Sequence, residues 1–412
     1  MGGGAPGRWG DVCRSRSSHD AALLRARCVC PASPPAGGGR HGRLAGVSSL
    51  YSAAGVDVEA GDKAVELMKA AVARTHSARV LGGVGGFAGL WDASDLLTYT
   101  RPLLATSTDG VGTKVALAQR LDKHDTIGVD LVGMVVDDIV VTGARPLFMT
   151  DYIACGKVVP ERIAAIVSGI ARGCEETGTA LVGGETAEHP GLLEPEEYDV
   201  AGAATGVVEA GKVLGPERVR DGDVLLAMAA SGVHANGYSL VRHVLASTGW
   251  DLYAHDDDLG RTLGEELLEP TRLYTRPCLD LVEAATVHAF THVTGGGLAS
   301  NLARVLPPGL VADVDRASWV LPPVFTLLAR GAQAAPHELE GTLNLGVGMV
   351  AILPAASFER ATASLAAAGI ESWELGRVRV ETPDDVTHHP MVSGTKGVHG
   401  GAVVMHREYR TA

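Results

Sequence analysis

Apolar residues recur along the chain with two alternating periods. Over residues 61–74, GDKAVELMKAAVAR, Val65, Met68 and Val72 fall on one stripe with Lys69 beside it, the spacing of an amphipathic helix. A glycine-dense loop follows, LGGVGGFAGLWD at 81–92, and RPLLATSTD then reads as a strand ending at Asp109. The run VDLVGMVVDDIVVTGA, 129–144, is β-branched enough for a strand but too long for one; its length predicts a helix closed by Gly143. RPLFMTDYIAC predicts a strand. PERIAAIVSGIARGCEETG predicts a helix with Pro160 near its start and Gly178 at its end. TALVGGETA and YDVAGAATGVVE predict two further strands.

The polar, turn-rich stretch AGKVLGPERVRDGD, 210–223, marks a domain boundary. Beyond it VLLAMAASGVHANGYSLVRHVLA reads as strand, polar turn and helix, and FTHVTGGGLASNLARVL repeats that arrangement. NLGVGMVAIL, ASFERATASLAAAG and SWELGRVRV supply strand, helix and strand. Strands alternating with helices give an α/β (α+β) class. The expected organisation is an extension at 1–47, an N-terminal domain at 48–212, a second α/β domain at 213–385, and a tail at 386–412.

Composition narrows the function. A chain of 412 residues exceeds one small core, which favours two domains. Its 53 glycines sit largely in short clusters, as where backbone turns around ligands. A net charge of −13 argues against a general nucleic-acid surface. It leaves anionic metabolites, gripped locally by backbone N–H groups, helix N-termini and Mg²⁺. No apolar run approaches the ~20 residues of a membrane span. Cys13, Cys28 and Cys30 lie in the Gly-, Pro- and Arg-rich N-terminal stretch, and Cys155, Cys174 and Cys278 are scattered. With no disulfide or metal pattern, they read as reduced cytoplasmic thiols. Residues 1–47 read as a disordered extension.

The candidate chemistry lies in six stretches. In TSTDGVGTK, 106–114, a strand ends on Asp109, a hard oxygen donor suited to Mg²⁺; the glycines let backbone N–H groups approach an anion, and Lys114 opens the next helix. A turn whose Asp caps that helix is the competing reading. In VDLVGMVVDDIV, Asp130 and Asp137 share a helix face and Asp138 lies ~80° from Asp130. Carboxylates in an apolar helix must be solvated, paired or metal-bound. GGVGGF lacks the lysine of a phosphate-binding Walker loop and follows no clear strand; it reads as a mobile glycine flap or a linker. In LVGGETAEHPG, Glu185 and Glu188 flank a turn, as metal ligands, proton carriers or ordinary loop acids. SGVHANGYSL and THVTGGGLASN each lead a strand into a helix through small residues, a phosphate-binding arrangement. They present Ser231, His234, Asn236, Thr294 and Gly295 to Gly297, with His292 as a proton carrier or a structural histidine.

YSAAGVDVEAGD, GGVGGF, TSTDGVGTK, HDTIGVDLVGM, LVGGETAEHPG, YDVAGAATGVVE, SGVHANGYSLVR, EPTRLY, THVTGGGLASNLARVLP and NLGVGMV occur together and in order. From about residue 50 to about 380 the chain resembles the phosphoribosylformylglycinamidine cyclo-ligase (aminoimidazole ribonucleotide synthetase) family. The resemblance implies ATP-dependent closure of formylglycinamidine ribonucleotide to aminoimidazole ribonucleotide in purine synthesis, by a cytoplasmic homodimer. Strands of two N-terminal domains would pair across the dimer into a barrel, with the nucleotide near that interface. The C-terminal domain would pack helices on a sheet.

The resemblance also implies residue roles. Asp109 and Asp138 would hold Mg²⁺. Lys69, the flap residues Gly82, Gly83, Gly85, Gly86 and Phe87, and Asp109, Gly110 and Thr113 would meet ATP. Lys114, Asp130 and His292 would serve the chemistry. Glu185, Thr186, Ser231, His234, Asn236, Tyr238, Thr294, Gly295 and Gly296 would hold the ribonucleotide. The chain carries Asp137-Asp138 where family members often carry Asn-Asp, and its last 25 residues, from His388, run past the family pattern. The rival readings are a small-molecule kinase or selenophosphate synthetase of the same superfamily, and a non-catalytic nucleotide-binding dimer. No cysteine lies near the flap, as a selenophosphate enzyme would want.

Overall fold

A computed structural model of the protein describes residues 57–83, 85–383, 391–394 and 400–411. The extension expected at 1–47, with its three cysteines, lies outside the described residues, as does part of the tail. The first half runs α1 (Val58–Arg74), β1 (Val80–Leu81), β2 (Leu90–Trp91), β3 (Pro102–Gly110), α2 (Val115–Leu121), α3 (Ile127–Val140), β4 (Arg145–Cys155), α4 (Pro160–Thr177), β5 (Ala180–Glu188) and β6 (Tyr198–Glu209). Local chemistry sets these bounds. The Asp57 carboxylate accepts the Ala60 N–H at 3.0 Å and starts α1. Pro160 opens α4, and Gly178, at φ 73°, closes it. In α1 the buried residues are Ala64, Ala71 and Val72. Val65 and Met68 of the expected stripe instead line a cavity beside the glycine loop. That loop joins the two strands of the β1–β2 hairpin.

The first sheet has the order β3-β6-β4-β5, with β4 and β5 parallel and the other pairs antiparallel. Helices α1, α3 and α4 are associated with this sheet, α3 against β3 and β6. Residues directly opposite in a ladder share a face. Leu104, Thr106 and Thr108 pair with Val207, Thr205 and Ala203, and Thr150 and Tyr152 pair with Ala203 and Ala201. This second face is open, with Leu104 63% and Tyr152 41% exposed.

The second half runs β7 (Val224–Ala229), α5 (Tyr238–Thr248), β8 (His255–Asp256), β9 (Arg261–Thr262), α6 (Leu263–Leu267), α7 (Thr275–Ala284), β10 (Ala289–His292), α8 (Gly297–Arg304), β11 (Leu310–Asp315), β12 (Val320–Leu321), α9 (Pro323–Ala332), β13 (Val347–Leu353), α10 (Phe358–Ala367), β14 (Ser372–Val380), β15 (Met391–Ser393), β16 (Ala402–His406) and β17 (Arg410–Thr411). Its main sheet has the order β10-β13-β7-β14-β11-β16-β15. Both faces of β7 are covered: Leu225 and Ala227 join the cluster of α8, and Val224, Leu226 and Met228 join that of α7 and α10. Continuous burial on two sides explains the unbroken apolar run of VLLAM. The tail contributes β16, which runs parallel to β11, and β15 beyond it. Cys155, Cys174 and Cys278 are free and buried.

Candidate active site

Helix α3 organises the site. Every residue of it is buried except Asp138. An apolar helix of this kind can carry carboxylates only with partners, and two of its three find them in the segment 271–275. The Asp130 Oδ1 accepts the Thr271 N–H at 2.8 Å, the Thr271 hydroxyl at 2.7 Å and the Lys114 ammonium at 2.9 Å. Asp137 accepts the Tyr274 N–H at 3.0 Å and the Thr275 hydroxyl at 2.6 Å, at the positive end of α7. Burial pushes Asp137 up to about 6, opposed by the charge of His292 and the Thr275 hydrogen bond.

These partners correct two expectations. Lys114 does not face an open phosphate site: it is fully buried, and its ammonium also donates to the Glu269 carbonyl at 2.7 Å and lies 5.5 Å from the Tyr238 ring centre. Asp130 is likewise enclosed, as the lysine's counter-ion rather than as an open base or metal ligand. Burial pulls the lysine's pKa down and the carboxyl's up, while their mutual attraction opposes both shifts. Asp137, expected beside Asp130 on one helix face, serves the start of α7.

Asp138 is different. Its side chain is 41% exposed, and its Oδ1 lies 3.0 Å from His292 Nδ1 at the end of β10. His292 is buried, and its Nε2 has no hydrogen-bond partner. Burial disfavours the imidazolium, but the Asp138 hydrogen bond and the charges of Asp138, Asp137 and Asp109 outweigh it, so the pKa is raised. Asp109 is exposed at the end of β3, where its Oδ1 accepts the Gly110 N–H at 2.8 Å. Thr113, three residues after Gly110, has its hydroxyl 3.3 Å from that of Ser239 in α5.

The two strand-to-helix loops meet beside this pair. A Cβ built on Gly295 would lie 3.3 Å from Asn236 Oδ1. The Asn301 amide donates to the carbonyls of Thr294 at 3.3 Å and Gly297 at 2.8 Å, fixing the glycine loop from within α8. His234 is buried with φ 65°, and its Nε2 accepts the Ser231 N–H at 3.2 Å. Burial, then the charges of His292, Lys114 and Arg272, hold it well below the usual histidine range, so it is neutral. Tyr238 corrects another expectation: it is buried and its hydroxyl donates to the Leu267 carbonyl, so it supports the α5 N-terminus and does not face a ligand. Ser231 donates its hydroxyl to the Pro270 carbonyl at 2.7 Å.

The remaining candidates gather elsewhere. Gly83, Gly85, Gly86, Phe87, Glu185 and Thr186 line a cavity of about 490 Å³ under α1, whose lining includes neither Asp109 nor Asp138. Gly82 and Gly85 have left-handed backbone, at φ 90° and 104°, and Phe87 is fully exposed. Lys69 lies on the exposed face of α1, ion-paired with Glu66. Three residues escaped the sequence reading. Asp151 lines the flap cavity, and strict alternation with the buried Met149 and Ile153 was the signal for it. Asn301 and Asn344 anchor the loops, and single asparagines give no such signal.

A mixed sheet with helices on one face, joined to a second sheet whose strands enter helices through glycine turns, defines the class. The family model described as AIR synthase related protein, N-terminal domain, matches residues 92–208, and its C-terminal counterpart matches 220–389. Solved structures share this fold. The thiamine-monophosphate kinase of Stenotrophomonas maltophilia superposes with TM-score 0.57 at 20% identity, over 82% of this chain and 95% of that one. A hydrogenase maturation protein HypE in complex with ATP gives 0.54 at 18% identity, over 85% and 91%.

Within the class, sequence identity is far higher to proteins named phosphoribosylformylglycinamidine cyclo-ligase. That of Bacillus pumilus is 47% identical over 334 residues, 81% of this chain and 96% of that protein. That of Desulfitobacterium hafniense is 48% identical over 328 residues, covering 80% and 96%. The chain belongs to the phosphoribosylformylglycinamidine cyclo-ligase family and is a ligase.

Proposed function

We propose that the protein closes formylglycinamidine ribonucleotide to aminoimidazole ribonucleotide, consuming ATP and releasing ADP and phosphate, in purine synthesis. The observation that carries this reading is the convergence of two glycine loops on the Asp138–His292 pair, in a chain with 47% identity to a named cyclo-ligase. The fold neighbours stand at 20% identity and below, and support the fold alone.

The chemistry suits such a site. A formamide oxygen is a poor leaving group. Transfer of the γ-phosphoryl group to that oxygen makes it a good one. An amidine nitrogen then attacks the formyl carbon, the C–O bond breaks, phosphate departs and the nitrogen loses its proton. Catalysis of this kind is mainly positioning and charge neutralisation. Backbone N–H groups at the α5 and α8 N-termini would hold the ribonucleotide's phosphate. His292, buried and with Nδ1 hydrogen-bonded to the part-exposed Asp138, would steady the charge of that carboxylate and pass a proton through it.

The donor set fits Mg²⁺. Asp109 and Asp138 are carboxylates that reach solvent and whose charges act on His292. That suits an ion bound by one or two carboxylates, with phosphate oxygens and water completing its shell. When bound, it would neutralise charge on the transferring phosphoryl group.

The glycine flap and its cavity would cover part of ATP. The open face of the first sheet, with Leu104 and Tyr152 exposed, supports a homodimer in which two such sheets pair into a barrel. Domains at 48–212 and 213–385 and a cytoplasmic location belong to the same reading; no helix among the described residues is long and apolar enough to cross a membrane. The test is ADP release with each component withheld. Release should require both Mg²⁺ and formylglycinamidine ribonucleotide; equal release without the ribonucleotide defeats the ligase reading.

A further inference from the structure

The two glycine loops share one support, the turn at residues 340–346. A Cβ on Gly297 would lie 1.6 Å from the Glu340 carbonyl oxygen, and one on Gly237 would lie 2.3 Å from Leu343 Cδ2 and 2.9 Å from the Thr342 carbonyl oxygen. The backbone of this turn therefore abuts the start of α8 and the start of α5 together. Asn344 adds a direct tie: its amide donates to the carbonyls of Gly232 at 3.0 Å and Val233 at 3.1 Å, and its Oδ1 accepts the Gly346 N–H at 2.8 Å.

The turn is pinned from behind by residues remote from the loops. Arg316 grips the Glu340 carboxylate with two prongs, Nε to Oε1 at 2.5 Å and Nη2 to Oε2 at 3.0 Å. Its Nη1 donates to the carbonyls of Met405 at 3.0 Å and Arg407 at 3.2 Å. The Tyr409 hydroxyl donates to Glu340 Oε1 at 2.8 Å. The Tyr409 ring stands edge-on to Trp319, centroids 5.3 Å apart, and the Trp319 indole N–H donates to the Leu345 carbonyl at 2.9 Å. Met405, Arg407 and Tyr409 lie beyond residue 389, where the match to the family's C-terminal domain ends.

We propose that Arg316, Glu340 and Tyr409 are positioning residues for ribonucleotide binding: the C-terminal segment fixes the 340–346 turn, and the turn sets the spacing of the two phosphate loops. The inference rests on the reading that these loops hold the substrate. A charged pair with side chains only 16% and 18% exposed, held by a tyrosine and two carbonyls, is stiffer than a surface turn needs.

The test compares Tyr409→Phe, Glu340→Gln and Glu340→Ala with Asn236→Ala, a change in the loop itself. Each is assayed for KM of the ribonucleotide, KM of ATP, kcat and thermal midpoint. Loosening a support outside the chemistry should act on the ligand that the loops hold. The KM for the ribonucleotide should rise about threefold in Tyr409→Phe and about tenfold or more in Glu340→Ala, with kcat and the KM for ATP within about twofold. Glu340→Gln, which keeps an oxygen toward Arg316, should fall between them. If Glu340→Ala does not fold, the other two keep the side-chain volume and decide the matter. A lowered midpoint with unchanged KM makes the segment a structural strap and overturns the proposal, as does a loss confined to kcat. If Asn236→Ala alone leaves the ribonucleotide KM unchanged, the loop reading fails and takes this proposal with it. A raised KM in Asn236→Ala but not in the three variants sinks only the proposal.

Discussion

Asp138 Oδ1 and His292 Nδ1 lie 3.0 Å apart across 154 residues of chain, joining the exposed spot of an otherwise buried helix to the end of a strand in the second sheet. The contact fixes which imidazole nitrogen meets the carboxylate and leaves Nε2 buried without a hydrogen-bond partner. Asp138→Asn keeps an oxygen for Nδ1 but removes the charge, and His292→Gln removes the imidazole. Each should lower kcat/KM by roughly two to three orders of magnitude, as loss of a preorganised charged group does. The double variant should be little worse than either single one, because groups that act as a unit are not additive. Losses that multiply in steady-state assays would show that the two act separately.

Lys114 and Asp130 form an enclosed pair, both at 0% exposure. Lys114→Met alone strands a buried carboxylate whose Oδ2 already has no partner. It should cost about 3–5 kcal/mol of stability, and Lys114→Met with Asp130→Asn should recover much of it. Urea unfolding of the single and the double variant measures this. A lysine that met phosphate in the active site would give the opposite result, normal stability and lost turnover.

The contrast between these two pairs shows what the sequence could and could not reveal. Run length located α3, Pro160 and Gly178 bounded α4, and apolar runs marked β4 and the buried strands, since each signal lies within a few residues. Spacing also put Asp130 and Asp137 on one face of α3. Their partners, Thr271 and Tyr274, lie 141 and 137 residues away, so nothing local distinguished a paired carboxylate from a ligand. The same limit applies to Tyr238, whose place in a loop motif suggested substrate while packing turned it inward. The tail strands β15 and β16 were missed because each is short, β16 gaining its order from β11 and β15 from β16. The glycine-dense stretch 81–92 was legible as a loop, and alternation along β4 carried the face of Asp151, but its contact with Gly184 appears only once β4 and β5 are paired.

Asp137 accepts hydrogen bonds at the start of α7 and is not open to solvent. Asp137→Asn keeps an acceptor oxygen for the Tyr274 N–H and the Thr275 hydroxyl. Burial already raises the Asp137 pKa, so losing the charge should change stability by less than about 1 kcal/mol. Asp137→Ala leaves both donors buried without a partner and should cost about 1–3 kcal/mol. Denaturant midpoints check the order. An equally large loss from both substitutions would mean that the charge itself, interacting with the helix dipole or His292, supplies the stabilisation.

Asp151 offers a test that needs no ligand. A Cβ on its strand neighbour Gly184 would lie 1.9 Å from Asp151 Oδ1, so the carboxyl occupies space that only a glycine leaves, at the wall of the flap cavity. Burial pushes its pKa up to about 7, opposed only by a hydrogen bond from its own backbone. The unfolded chain titrates it near the ordinary value of about 3.9. Between those two values the folded protein keeps a proton that the unfolded chain has lost, so folding is favoured most at low pH. The contribution is complete below about 3.9 and disappears as pH rises to about 7, at roughly 1.4 kcal/mol per pH unit at most. Asp151→Asn has no such proton. The unfolding free energy of the native sequence minus that of the variant should therefore fall between pH 4 and pH 7 and level off above it, when both are melted in urea across that range. A difference that stays constant with pH would mean that the Asp151 carboxyl is ionised throughout, solvated through the flap cavity rather than enclosed by it.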